Sequence, residues 1–160
     1  MTALQCATTL VIAVHGEAEH ESSEGHEEGG WLTQLGRRQA AELGAALAGR
    51  RVAHVWTSTL PPAVQTAEIA AARLGVAVTT RRGLCDLDPS PDRFGDVLHE
   101  VADAHPGETV LVVSHGGAIG PGVPAVARMD VEPQRLGSCD TVEVLADADA
   151  WVCTRWGQQV

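Results

Sequence analysis

The sequence predicts a three-layer α/β fold, in which a doubly wound, mostly parallel sheet carries helices on both faces. Apolar β-branched runs at 8–14 and 109–113 are too short for helices and too apolar for half-exposed strands, which favours buried parallel strands. Strand-like and helix-like segments alternate through the chain, as they do around a parallel sheet. The 160 residues contain no linker or internal repeat, so we expect one domain spanning 1–160.

Capping residues and hydrophobic spacing predict the other elements. Thr33 can cap a helix, and Pro61 suits a first helical turn, where no N–H is needed. In chain order, we expect a helix from Thr33 to about Ala48, a strand at 52–57, a helix from Pro61 to Leu74, a strand at 76–80, a helix capped by Asp92 and running to Ala104, and closing strands at 140–145 and 151–156. The Gly-Pro-Gly-Val-Pro run at 120–124 predicts at most a short helix over 125–129.

Composition limits the possible partners and location. Twenty-one acidic residues against 11 arginines, with no lysine, give a formal net charge of −10. Such a surface repels nucleic acid and anionic membranes, so we expect neither as a partner. The N-terminus has no basic segment followed by an apolar one, and no apolar run approaches the roughly 18 residues of a membrane span. A cytoplasmic protein with a small-molecule substrate is expected, and its oligomeric state is left open.

Both apolar runs end near a His-Gly pair, His15-Gly16 in the first case and His115-Gly116 in the second. In open α/β sheets, ligands bind beyond the carboxyl ends of the strands, where the strand order reverses. If the two strands are neighbours, His15 and His115 therefore face each other across one pocket.

Two further segments accompany these pairs, Leu-Thr-Gln-Leu-Gly-Arg-Arg-Gln-Ala at 32–40 and Ser-Thr-Leu-Pro-Pro-Ala-Val-Gln-Thr-Ala at 58–67. Together, in this order, they resemble the histidine phosphatase superfamily, also called phosphoglycerate-mutase-like. The resemblance runs from about 10 to 117. It implies that His15 would attack phosphorus to give a phosphohistidine, and that His115 would help to hold the transferred group.

The chain departs from the family pattern where phosphate is bound. The resemblance implies two arginines that clamp the phosphate, but their positions hold Val14 and Pro62. The family's leaving-group acid corresponds most closely to Asp86, and a family asparagine falls near Glu21. Two bidentate clamps make about four charge-assisted hydrogen bonds, which total roughly 6–12 kcal/mol. Phosphoryl transfer depends on positioning and charge neutralisation, so the pair without its clamp should be a weak phosphatase.

An acidic loop at 17–30 surrounds the expected pocket mouth with glutamates and reverses its electrostatics in favour of cations. Imidazoles and carboxylates are ligands for zinc, nickel, iron or manganese, and a catalytic metal needs about three of them. His15 and His115 could supply two ligands. Candidates for the third are Glu17, His20, His26 and Asp86. The spacing of these residues matches no common metal motif, and such loops are often simply solvated.

The leading hypothesis is an enzyme that keeps this fold but acts on a small organic molecule. His15 and His115 would serve as metal ligands, with Glu17 and His20, or as a general acid and base assisted by Glu17 or Asp86. A second hypothesis is a phosphatase acting through phospho-His15 with relocated arginines, for which the candidates are Arg81, Arg82 and Arg93. A third is an inactive binding or regulatory module.

Overall fold

The computed structural model describes residues 6–19, 30–85 and 91–158. Its elements in chain order are β1 (Thr8–Val14), α1 (Gln34–Leu47), β2 (Val52–Thr57), α2 (Pro61–Leu74), β3 (Val78–Thr80), α3 (Pro91–Ala104), β4 (Thr109–Ser114), α4 (Gly116–Val126), β5 (Arg128–Met129), β6 (Thr141–Ala146) and β7 (Trp151–Gln158). Short 3₁₀ helices follow α1 at Ala48–Arg50 and β3 at Arg82–Leu84. No helix within the described ranges is long and apolar enough to cross a membrane.

The described strands form one mixed sheet in the order β3-β2-β4-β1-β6-β7-β5. The pairs β1–β4, β2–β4, β2–β3 and β5–β7 are parallel, whereas β1–β6 and β6–β7 are antiparallel. The prediction of a mostly parallel sheet is therefore confirmed. The closing strands β6 and β7 form an antiparallel pair at the side of the sheet beyond β1.

Helices cover both faces of the sheet, because the side chains of its central strands alternate between them. On β1, Leu10 and Ile12 join a core cluster with residues of α3 and α4, while Val11 and Ala13 join one with residues of α1 and α2. All four of these β1 side chains are fully buried. The three-layer architecture predicted from the strand pattern is thus confirmed.

The largest difference from the sequence prediction concerns α4. The short helix expected at 125–129 is wrong, because α4 starts at Gly116 and ends at Val126, with Pro121 and Pro124 inside it. An interior proline removes one helical hydrogen bond and costs about 3 kcal/mol in an isolated helix. Here Ile119 and Val123 are fully buried, so tertiary packing outweighs the local preference.

The other differences are small. Helix α3 begins at Pro91, one residue before the cap predicted at Asp92, and places proline in a first turn that needs no N–H from it. Strand β3 starts at Val78, two residues later than predicted. Neither difference changes the position of the two His-Gly pairs.

Candidate active site

The two histidines lie side by side because their strands are neighbours. In the parallel pairing of β1 with β4, Val14 is opposite Ser114, so the next residue of each strand is a histidine. The ring centroids of His15 and His115 are 5.1 Å apart, in an edge-to-face arrangement. His115 is 5% exposed, whereas His15 is half-buried. The shared site predicted from the two motifs is present, with His15 as its more accessible ring.

A backbone contact fixes the tautomer of His15. Its Nδ1 lies 2.7 Å from the carbonyl oxygen of Gly16. A carbonyl oxygen can only accept a hydrogen bond, so Nδ1 carries the proton and donates it. In the neutral ring, Nε2 then has a free lone pair, which makes it the atom that can act as a base or a nucleophile.

The turn that carries this carbonyl is itself held by buried groups. The Gly16 N–H donates to Thr66 Oγ1 at 2.9 Å, and the Thr66 hydroxyl donates to the Pro62 carbonyl at 2.8 Å. Thr66 is fully buried. A side chain at Gly16 would collide with the Gly36 carbonyl, so α1 packs directly on the turn. These contacts hold the imidazole of His15 in one orientation.

His115 is held by a serine on the neighbouring strand's exit loop. Its Nε2 lies 2.7 Å from Ser58 Oγ, and Ser58 is fully buried. The Ser58 N–H donates to the Val113 carbonyl at 3.1 Å, which ties the end of β2 to β4. The His115 carbonyl accepts from the N–H groups of Ala118 and Ile119, so this residue also caps the start of α4.

The positions of the family clamp are apolar. Val14 is 7% exposed and bonds through its N–H to the Asp140 carbonyl, while Pro62 is buried at the second position of α2. Neither residue can donate a side-chain hydrogen bond to an anion. The departure from the family pattern therefore lies at the site itself.

Of the arginines considered as substitutes, Arg81 is engaged elsewhere. Its guanidinium pairs with Glu100 at 2.7 Å and lies 5.0 Å from the centre of the Trp56 ring. The hydrogen bond to Glu100 raises the pKa of Arg81, and the same bond lowers the pKa of Glu100. Arg82 lies in the 3₁₀ helix after β3, and the side chain of Arg93 passes close to Gly83 of that helix.

The acids and extra histidines do not complete a described metal site. The Glu17 carboxylate accepts a hydrogen bond from the Thr33 hydroxyl at 2.7 Å, and the backbone N–H of Glu17 donates to Gln39 Oε1 at 2.8 Å. His20 and Asp86 lie outside the described residues, as do Glu21 and His26. Within the described ranges, no three His, Cys, Asp or Glu side chains are placed to hold one ion. The metal site stays a prediction.

Sequence reasoning missed the two hydroxyl groups that hold the histidines. Ser58 and Thr66 both lie in the 58–67 segment, but there they served only as a signature of the family. Their eight-residue separation spans the exit of β2 and the first turns of α2, so the segment contacts His115 directly and the turn after His15 through Gly16. The sequence did offer a sign of this role, because two small polar residues stand at otherwise buried positions of that segment.

The profile of the histidine phosphatase superfamily (branch 1) matches residues 10–91 and 89–159. Phosphoglycerate mutase-like protein 4 of Arabidopsis thaliana is 26% identical over 197 aligned positions, which cover 92% of this chain and 84% of that protein.

Solved structures share the fold at lower identity. Bacillus stearothermophilus YhfR is 22% identical with a TM-score of 0.79, over 96% of this chain and 98% of that one. A mycobacterial glucosyl-3-phosphoglycerate phosphatase complexed with VO3 has 18% identity and a TM-score of 0.79, over 94% and 99% of the two chains. The protein histidine phosphatase SixA, complexed with tungstate, has 19% identity and a TM-score of 0.75, over 92% and 94%. At these identities the likeness concerns the fold.

Proposed function

Starting from the fact that the chain belongs to the histidine phosphatase superfamily, we propose that it is an enzyme that uses His15 and His115 as an acid–base pair on a small organic molecule. It would not transfer a phosphoryl group. One observation carries this proposal: His15 keeps an Nε2 lone pair directed by the Gly16 carbonyl, while both clamp positions hold apolar side chains. The base is retained and the anion-binding groups are replaced.

His15 is suited to the role of general base. When Nε2 takes a proton from the substrate, the positive charge is shared with Nδ1–H, which already donates to the Gly16 carbonyl at 2.7 Å. That oxygen stabilises the imidazolium without any movement. A positioned acid or base of this kind contributes typically about 10²–10⁴-fold to a rate.

His115, in its protonated form, is suited to be the acid: it gives a proton to the leaving oxygen and regains one from the His15 imidazolium, so that both rings return to their starting states. Its ring is 5.1 Å from that of His15, and its Nε2 is bonded to a hydroxyl that can either donate or accept. Glu17, which we propose as an assisting acid, accepts a hydrogen bond from the Thr33 hydroxyl. Asp86, the other acid predicted for the site, lies outside the described residues.

The described residues alone do not assemble three metal ligands, so the proposal is built on the acid–base alternative. His115 Nε2 is occupied by Ser58, and the Glu17 carboxylate by Thr33. A metal at these two atoms would compete with the serine and threonine hydroxyls, and within the described ranges no third ligand is placed beside them. No step of the proposed reaction therefore passes through a metal.

Two esters of the same phenol test the proposal, p-nitrophenyl acetate and p-nitrophenyl phosphate. We expect kcat/KM for the neutral ester to exceed kcat/KM for the phosphate. His15→Ala should lower kcat/KM for the neutral ester by about 10²–10⁴-fold. His99→Ala is the matched control, because His99 lies on α3 and stacks on Trp151, with ring centroids 4.2 Å apart.

Other outcomes separate the rival hypotheses. Turnover of the phosphate that is lost in His15→Ala would contradict the proposal and favour a phosphatase with rebuilt anion binding. Acetate hydrolysis that persists unchanged in His15→Ala and His115→Ala would contradict it in favour of a binding module with nonspecific reactivity.

A further inference from the structure

We infer that Ser58 is a positioning residue of the histidine pair, and that its hydroxyl decides which nitrogen of His115 carries the proton. This inference deepens the proposed acid–base function and rests on it for its effect on turnover. The observations are the 2.7 Å contact between Ser58 Oγ and His115 Nε2, the complete burial of Ser58 and the 5% exposure of His115.

The direction of the hydrogen bond follows from the surroundings of the hydroxyl. The Leu60 N–H points at Ser58 Oγ from 3.4 Å, and as a donor it can only occupy an oxygen lone pair. Within the described part of the chain, His115 Nε2 is the one acceptor that lies in hydrogen-bond contact with the serine hydroxyl. A buried hydroxyl proton is rarely left without an acceptor. In the neutral pair, Ser58 therefore donates to Nε2, and His115 carries its own proton on Nδ1.

The same serine can serve the charged state. When His115 is protonated on both nitrogens, Nε2–H donates and Ser58 Oγ accepts. The contact therefore persists through a cycle in which His115 gains and loses a proton, with no change of ring orientation. Alanine at this position can do neither, so the preference that the hydroxyl gives to the Nδ1–H tautomer is lost.

A neighbouring residue provides a matched control. Thr57, one position earlier on β2, is also fully buried, and its Oγ1 has no hydrogen-bond partner among the described residues. Thr57→Val removes a neighbouring buried hydroxyl without removing a hydrogen bond to His115. Ser58→Thr keeps the hydroxyl and tests for rescue.

The experiment is ¹⁵N NMR of the labelled imidazole rings, with the His115 signals assigned by their loss in His115→Ala. We expect wild-type protein at a pH where His115 is neutral to show Nδ1 protonated and Nε2 unprotonated. Ser58→Ala should shift the population towards the Nε2–H tautomer, while Ser58→Thr and Thr57→Val should keep the wild-type pattern. A thermal melt of each variant establishes that it is folded.

Turnover gives a second readout. For the neutral ester, Ser58→Ala should lower kcat by roughly tenfold with little change in KM, the size expected for one hydrogen bond made during proton transfer. An unchanged His115 tautomer in folded Ser58→Ala would overturn the inference, as would an equal shift in Thr57→Val. If the tautomer shifts but wild-type protein does not hydrolyse the ester, the positioning role stands and the proposed function fails.

Discussion

Placing arginine at the two clamp positions tests whether their apolar side chains are what prevents phosphoryl transfer at this site. The variant carries Val14→Arg and Pro62→Arg, which return arginine to the two positions that bind phosphate in the family. Val14 directly precedes His15, and the Pro62 carbonyl already accepts from Thr66, which holds the Gly16 turn. Both new side chains therefore start from backbone next to the turn at His15 and Gly16.

The expected gain is a difference between two terms. Each guanidinium can make two charge-assisted hydrogen bonds to phosphate, for roughly 3–6 kcal/mol. Against this stands the loss of hydration, because Val14 is only 7% exposed, and burying a charge costs several kcal/mol. A net gain of about 1.5–3 kcal/mol per arginine corresponds to roughly 10–100-fold each, or about 10²–10⁴-fold for the pair. Arginine in place of Pro62 adds an N–H in the first turn of α2, where none is needed.

The assay is the kcat/KM for p-nitrophenyl phosphate, with inorganic phosphate as a competitive inhibitor. We expect negligible turnover by wild-type protein, a gain of the size above in the double variant, and its loss when His15→Ala is added. A folded double variant that neither hydrolyses the ester nor binds phosphate would refute the reasoning, since the missing clamp would then not be what separates this site from a phosphatase.

Three further predictions concern the frame of the site. Gly36→Ala should destabilise the protein by about 1–3 kcal/mol in a thermal or denaturant melt, because the new Cβ would collide with the Glu17 carbonyl. Gly49→Ala is the control, because a Cβ there would have nothing within 4 Å. Equal melts of the two variants would contradict this packing. Burial raises the pKa of Cys139 from 9.0 to about 12. Between these pH values the thiol loses its proton on unfolding, so the free energy of unfolding should fall by about 1.4 kcal/mol per pH unit above pH 9. An identical pH profile in Cys139→Ala would contradict the shift. Arg81→Ala should leave turnover of the neutral ester unchanged, because its guanidinium pairs with Glu100; phosphate turnover that is present in wild-type protein and lost in this variant would identify Arg81 as a relocated clamp.

Few other groups contribute to the pH dependence predicted above pH 9, because the chain contains neither lysine nor tyrosine. Thiols are thus the side chains that titrate between pH 9 and 12. Burial also raises the pKa of Cys153, to about 11, so some of the pH dependence should remain after Cys139 is replaced. The sign is the same for both, since the folded state retains a proton that the unfolded state has released.

The positions of His15 and His115 could be predicted from the sequence for a simple reason. Two parallel strands whose residues are nearly all buried have few alternative arrangements, and their β-branched runs mark both strands and their ends. Once β1 and β4 are neighbours in register, the residues that follow them must meet. Local pattern and tertiary arrangement agree at this point, and the prediction succeeded.

Helix α4 shows where local pattern fails. Its two prolines and four glycines argue against a helix in isolation, but the fold places this segment over a sheet face where Ile119 and Val123 become fully buried. Gly122 lies against the Phe94 ring, which leaves no room for a side chain there. Such packing energy comes from residues distant in sequence, so no local window contains it.

The hydrogen bonds of the site were not predictable for a related reason. Ser58 meets a histidine 57 residues away, and Thr66 meets a glycine 50 residues away. Their partners depend on the direction of the side chains just after β2 and in the first turns of α2. Strand and helix periodicity does not specify that direction. The family pattern marked these two positions, and the geometry supplies the reason for them.

Titration of the wild-type protein with tungstate, followed by calorimetry and repeated on His15→Ala, tests the central claim most directly. The account predicts no saturable uptake of this phosphate-like oxyanion up to millimolar concentration, because Val14 and Pro62 leave the histidine pair without a guanidinium. Saturable binding at one site per chain that disappears in His15→Ala would contradict it.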